Sequence, residues 1–247
     1  MADSISTGCR SLDEVLGGGI PFGKITLIYG DASTGKTTLA MKSVVNYLQT
    51  RQRGVSPPKR ALYVDSDGKF SLARFSQIAG PNTKEELLQR LVVSMPESFT
   101  EQMGIIEGLM SFTAGNIRLV VLDTITSLYR EEIALTGQTF PINRELNRQL
   151  AYLKEAAKAQ DLVVLLLSQV YSTFNPEQPP ITPVSSRLLR YWSDIILRLD
   201  ITPQAGVRIA FLEKPTRRSM VGCRFKLVAS GLTDMGFLDQ PSRDKPI

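Results

Sequence analysis

The chain contains no histidine among its 247 residues. Imidazole general-base chemistry and histidine-ligated metals are therefore excluded, because no other unperturbed side chain changes its charge near neutral pH. Cysteine is scarce: Cys9 and Cys223 lie far apart and match no metal-site or disulfide spacing. A reducing, cytoplasmic compartment is the resulting expectation. No uninterrupted apolar run approaches membrane-spanning length, and the opening MADSISTGCR lacks the apolar core of a secretory signal. No membrane partner is expected. Acidic residues fall short of basic ones, 24 against 29, and the net charge of +5 permits nucleic-acid contact without requiring it. The length suits one substantial α/β domain, which we expect over residues 1–237, with a polar, proline-bounded and disordered tail at 238–247.

What is present is organised around Gly30-Asp31-Ala32-Ser33-Thr34-Gly35-Lys36-Thr37, which fits the phosphate-binding pattern G-x-x-x-x-G-K-[ST]. Backbone N–H groups must point inward to surround a di- or triphosphate, and the glycines permit the turn that aims them. Lys36 then reaches the β/γ-phosphates, and the Thr37 hydroxyl takes a position on Mg²⁺. A helix starting near Gly35 adds its positive N-terminal dipole. The context agrees: Ile25–Tyr29 reads as a buried strand entering the loop, and Ala40, Val44 and Leu48 repeat along one helical face behind it. The expected nucleotide-contacting set is residues Gly30 to Thr37 together with Thr38, and the expected ligands are ATP and Mg²⁺.

Upstream, Ser6-Thr7-Gly8 and Leu12-Asp13 precede Leu16-Gly17-Gly18-Gly19-Ile20-Pro21, a short helix ended by glycines for which Ser11 and Asp13 are candidate caps. Downstream, strand Ala61–Val64 ends in Asp65-Ser66-Asp67-Gly68. Carboxylates at the end of a buried strand are costly unless solvated or used, and ligands bind at strand carboxyl ends in open α/β sheets. Leu91–Ser94 predicts another strand, and a helix over 98–112 aligns Phe99, Met103, Ile106 and Met110 as core. Leu119-Val120-Val121-Leu122-Asp123, roughly ninety residues after the phosphate loop, has the Walker B pattern, with Asp123 holding Mg²⁺ through water or through Thr37. Residues 131–142, with Gly137 and Pro141, are predicted to connect to a helix burying Leu146, Leu150, Leu153 and Ala157; Arg144 and Arg148 share its opposite face. The apolar run Leu162–Leu167 predicts a central parallel strand ending in Ser168-Gln169, where an amide suits sensing a γ-phosphate oxygen. Segment 171–186 is proline-rich without Lys or Arg, which predicts an extended, semi-rigid course. Strands are expected near 195–200, 207–213 and 222–228, with Arg224 and Lys226 on one sheet face extending a patch with Arg217 and Arg218.

Taken in order, these motifs resemble the RecA-type ATPase core of archaeal and eukaryotic recombinases from about Ser6 to Leu232. Within that superfamily the chain is most similar to the archaeal recombinase paralogues of the RadB family, through Trp192-Ser193 and Arg198-Leu199 in a W-S-x-I-I-x-R-L run and through Leu212-Glu213-Lys214. The resemblance implies a three-layer α/β fold with a mostly parallel central sheet and a small antiparallel C-terminal extension. It implies that Asp67 stands where a glutamate polarises the attacking water, one methylene shorter, so hydrolysis is expected to be slow. It further implies that Arg74 lies over adenine, although the residue alone reads equally well as a solvated helix position. Arg144 and Arg148 fall by the first DNA-binding loop, Gln169 begins the second, and Lys214 acts on a neighbouring subunit's γ-phosphate, with Arg217 and Arg218 beside it. Ser185-Ser186 replaces a glycine pair, and residues 1–24 contain no F-x-x-A polymerisation segment. The expected function is an ATP-binding accessory protein of recombination, a switch with slow hydrolysis. Its expected partners are DNA, single-stranded and weakly held, and the main recombinase, with an oligomer possible through the ATP-facing interface. The alternatives are a filament-forming DNA-dependent ATPase and a KaiC-like signalling ATPase.

Overall fold

The computed structural model describes residues 4–50, 59–81, 84–112, 116–171, 182–183, 185–215 and 221–238. The apolar runs become parallel strands. β3 (Lys24–Gly30) lies between β7 (Val163–Tyr171) and β9 (Ile195–Ile201). β6 (Ile117–Asp123), β4 (Arg60–Asp65) and β5 (Leu91–Ser94) continue the parallel set on the β7 side. β10 (Val207–Lys214), β11 (Val221–Val228) and β12 (Gly231–Phe237) continue antiparallel beyond β9. Short β8 (Thr182–Pro183) pairs with the end of β7, and β1 (Ser4–Ile5) with β2 (Ile20–Pro21). Ten strands thus share one sheet, parallel at its centre with an antiparallel C-terminal wing.

Strand alternation divides the core. Ile28, Val163, Leu165 and Leu167 face one layer, where they meet Leu12 and Val15 of α1 (Arg10–Leu16) and Leu39 and Val44 of α2 (Lys36–Gln49). Phe75 of α3 (Leu72–Ala79) and Leu87 of α4 (Lys84–Leu88) complete that layer. Ile25, Leu27, Tyr29, Val164 and Leu166 face the other layer, formed by α5 (Phe99–Phe112), α6 (Ser127–Thr136), α7 (Thr139–Gln160) and α8 (Ser186–Trp192). The three-layer α/β architecture is as expected. The stripes Ala40, Val44, Leu48 and Leu146, Leu150, Leu153, Ala157 are fully buried. Phe99, Met103 and Ile106 are buried too, and the Met110 side chain lies outside what is described.

Three readings are corrected. Residues 131–142 are not a connection: α6 runs to Thr136 and α7 starts at Thr139, leaving only residues 137–138 between them. Gly137 closes α6, and Pro141 falls in the first turn of α7, where its missing N–H would have no helical acceptor anyway. Second, β12 was not expected, because its apolar residues are few and its inward-facing side includes Asp234. Third, Ser11 and Asp13 do not cap α1. The cap position is Cys9, without a side-chain cap bond. Asp13 folds back to accept the Thr7 N–H (2.7 Å) and the Ser6 hydroxyl (2.6 Å). Ser11 donates its N–H (2.6 Å) and hydroxyl (2.9 Å) to Asp234 instead. Of the proline-rich segment, residues 172–181 and 184 lie outside the described residues, as do 239–247 of the tail.

Asp234 ties the first helix to the last strand. Burial alone would raise its pKa, but the N–H groups of Ser11 and Gly236 and the Ser11 hydroxyl outweigh burial and hold it below the ordinary carboxylate value. A lowered folded-state pKa contributes stability above the unfolded value, and that stability is lost as pH falls through the folded one. Asp234→Ala should therefore cost about 1–3 kcal/mol at neutral pH. The gap between variant and parent should close below about pH 4. Urea unfolding of both proteins across that range measures it.

Candidate functional site

The phosphate loop leaves β3 at Gly30 and enters α2 at Lys36, with Gly35 as a left-handed N-cap (φ 96°). A Cβ on Gly30 would sit 2.2 Å from the carbonyl oxygen of Leu199, and one on Gly35 would meet Leu227 at 2.8 Å, so the turn closes this tightly only with glycine. Lys36 is nearly buried, and its Nζ donates to the carbonyls of Gly30 (2.8 Å) and Asp31 (2.7 Å). Burial lowers its pKa, with Asp123 and Asp31 opposing. Asp31, Ala32 and Ser33 line the exposed rim, Thr34 turns inward onto the Asp31 carbonyl (2.9 Å), and Thr38 is half-buried in the first turn of α2.

Asp123, at the end of β6, accepts from Thr37 Oγ1 (2.7 Å) and from the Tyr63 hydroxyl (2.6 Å) on the same oxygen. Burial raises the Asp123 pKa, opposed by those two hydrogen bonds, and burial keeps the Tyr63 phenol a neutral donor. A hydroxyl and a carboxylate side by side at the start of α2 are hard oxygen donors of the kind Mg²⁺ takes, so Thr37 and Asp123 fit the ion and the loop fits a polyphosphate. The Asp123–Thr124 peptide is cis.

Asp65 is spent inward, accepting the N–H groups of Lys69 (3.1 Å) and Phe70 (2.6 Å). Asp67 lies within electrostatic reach of Lys36. Its Oδ2 accepts from Gln169 Nε2 at 3.2 Å and from Lys69 Nζ at 2.9 Å. Helix α3 has its own cap in Ser71, whose side chain accepts the Arg74 N–H (3.1 Å), so capping does not account for Asp67. Arg74 donates to the carbonyls of Val228 (2.9 Å) and Ala229 (2.8 Å), in the same turn region that brings Leu227 against Gly35.

The basic candidates separate. Arg144 lies on a cleft of about 610 Å³ with Phe140, Asn143, Asn147 and Arg187. Arg148 turns from that cleft to Glu107 and Glu145. Lys214 donates to the carbonyls of Arg190 (3.0 Å) and Ser193 (2.5 Å) at the end of α8, while adjacent Glu213 accepts from Arg190 (2.6 Å) and Tyr29 (2.7 Å). Arg224 and Lys226 are exposed on one face of β11; Arg217 and Arg218 lie outside the described residues. Sequence reasoning missed Tyr63, Lys69 and Arg208, whose Nε donates to the Ser33 carbonyl (3.0 Å). It also missed a buried relay in which Ser66 bonds Gln102 (2.8 Å) and Gln102 bonds Gln149 (2.8 Å), linking the Asp67 turn to α5 and α7.

Lys36→Ala should weaken ATP binding by about 10²-fold or more, since charge-assisted contacts contribute about 1.5–3 kcal/mol each. Calorimetric titration with ATP is the measurement, and unchanged affinity would show that the loop does not hold phosphate.

The family described as Rad51 matches residues 2–235. The DNA repair and recombination protein RadB of Thermococcus kodakarensis is 36% identical, over 94% of this chain and 99% of its own. Its counterpart in Thermococcus gammatolerans is 37% identical over the same shares, 94% and 99%. A crystal structure of the RadB recombinase superposes with a TM-score of 0.77 at 34% identity, over 93% of this chain and 99% of that one. The chain belongs to the Rad51 family.

Proposed function

We propose that this Rad51-family chain is an ATP-binding accessory protein of DNA repair and homologous recombination, a recombinase paralogue of the RadB kind. The observation that carries the reading is the hydrogen bond between Asp67, in the turn after β4, and Gln169, which lies opposite Gly30 of the phosphate loop. The reaction it supports is hydrolysis of ATP to ADP and phosphate. Lys36 would bind the β/γ-phosphates, and Thr37 and Asp123 would hold Mg²⁺, which would supply positive charge to offset that of the phosphates. Asp67 orients and polarises the attacking water, and the Gln169 amide senses a γ-phosphate oxygen. Being one methylene short, Asp67 stands back from the water, and a misplacement of about 1 Å can cost ~10²-fold in rate. Slow turnover suits a switch whose bound nucleotide sets how it holds DNA or the main recombinase.

We read residues 1–237 as one ATPase core, and no described helix is long and apolar enough to cross a membrane. Arg74, tied to the carbonyls of Val228 and Ala229, is the residue we propose for contact with the base. For DNA, Arg144, Arg187 and the 80% exposed ring of Phe140 offer phosphate contacts and a stacking surface in one cleft, and Arg224 and Lys226 add a separate patch. A filament-forming motor is the weaker reading: Lys214, the cation such an assembly would offer its neighbour, is engaged by the carbonyl end of α8.

Asp67→Glu should raise the turnover number about tenfold with ATP affinity unchanged, and Asp67→Asn should lower it, an interaction made in the transition state only. Steady-state ATPase assays with Asp123→Ala as the metal-site control decide this; a slower Asp67→Glu beside an unimpaired Asp67→Asn would remove Asp67 as the water-activating group. DNA affinity should be weak and fall steeply with salt. The double variant Arg144→Ala/Arg187→Ala should flatten the logarithmic salt slope by about one to two units. Phe140→Ala should cost about 1–3 kcal/mol for single strands. Binding to a fluorescent oligonucleotide across a salt series is the test, and salt-independent affinity would contradict an electrostatic contact.

A further inference from the structure

Lys69 carries a charge that the reaction as described leaves unused. It lies in the turn between β4 and α3, and its main chain is fixed because the Asp65 carboxylate accepts its N–H and that of Phe70. Phe70 in turn packs edge-on against Tyr63, with ring centroids 5.0 Å apart. Beyond that anchored backbone the side chain is 71% exposed. Its ammonium rests 2.9 Å from Asp67 Oδ2, the oxygen that also accepts Gln169 Nε2 at 3.2 Å. Lys69 is also close enough to interact electrostatically with Lys36 and Asp123. A cation therefore stands within electrostatic reach of the phosphate-loop lysine, held by Asp67.

We propose that Lys69 is a γ-phosphate ligand which this chain supplies to its own site, and that it and Gln169 latch Asp67 until a triphosphate draws both donors away. The inference rests on residues 30–37 and Asp67 forming an ATP site. A carboxylate oxygen already accepting two hydrogen bonds is a weaker acceptor for a water proton, so the latch blunts Asp67 at Oδ2. The γ-phosphate brings more negative charge than one carboxylate and three acceptor oxygens, and an ammonium with three donors follows it readily. Transfer of Lys69 and Gln169 to those oxygens leaves Asp67 Oδ2 open toward the attacking water. ADP has no oxygen at that position, so with ADP the latch stays shut. Lys69 thus discriminates tri- from diphosphate within a single subunit.

The full chain with Mg²⁺ is titrated calorimetrically with ADP and with a non-hydrolysable β,γ-imido triphosphate, in the parent, Lys69→Met and Lys69→Arg. Lys69→Met keeps the aliphatic stem, and thermal unfolding confirms its fold. Loss of one charge-assisted contact should weaken the triphosphate about tenfold in Lys69→Met, with ADP affinity within about twofold of the parent and Lys69→Arg recovering most of the difference. Equal losses for both nucleotides, or an unchanged triphosphate affinity, would overturn the role of Lys69 while leaving the ATP site intact. A parent that binds neither nucleotide, and does not differ from Lys36→Ala, would overturn the ATP site and the Lys69 contact together.

Discussion

The register of β3 against its parallel neighbours is the constraint on which the rest of the molecule depends. Gly30 lies opposite Gln169, Ile28 opposite Leu167, Leu167 opposite Asp123, and Asp123 opposite Asp65. One alignment thereby brings the phosphate loop, the strand-end amide and the acids to a common edge, where open α/β sheets hold ligands. A slip of one residue in any of these pairings would turn every side chain of that strand to the other layer. It would send Asp123 away from Thr37 and bury Gln169 among leucines. The near-continuous apolar strands guard against that slip, because both faces of the sheet are covered and α2 and α7 accept only one set of side chains each.

That alignment places charge where water is scarce. Lys36, Asp65 and Asp123 are each at most 8% exposed. Such groups persist in a folded protein only when hydrogen-bonded, and here each is: Lys36 by two carbonyls, Asp65 by two backbone N–H groups, Asp123 by two hydroxyls. The arrangement is a poor source of stability, since apolar residues of similar volume would do as well or better. Its retention is intelligible as preorganisation: the groups proposed to meet a polyphosphate are already held in place, and the Ser66–Gln102–Gln149 relay braces the turn that carries Asp67 against two helices.

What could be read from the sequence was whatever is local or periodic. The phosphate loop declares itself in eight residues, and the stripes of α2 and α7 and the leucine run of β7 follow from spacing alone. The misses share another cause. Ser11 finds Asp234 223 positions later, and Tyr63 finds Asp123 sixty positions later. Both were read from their neighbours, as a cap and as one more apolar strand position. Gly137 and Pro141 look like a long connection because both residues break helices in the middle, yet one ends a helix and the other begins the next. β12 escaped because an edge strand facing solvent on one side needs few apolar residues to stay in place. Lys69 escaped because a lysine in a turn is ordinarily just solvated.

The wall that Leu227 and Arg208 build against the phosphate loop has a consequence for the order in which the protein is made. Residues 30–37 leave the ribosome early, but the strands that press on Gly35 and hold the Ser33 carbonyl are translated nearly two hundred residues later. Contacts of such sequence separation form late and slow the folding of the domains that depend on them. A nascent chain long enough to display the whole phosphate-binding motif would still lack one side of its cradle. The loop's own sequence is thereby complete long before the residues that pack against it exist.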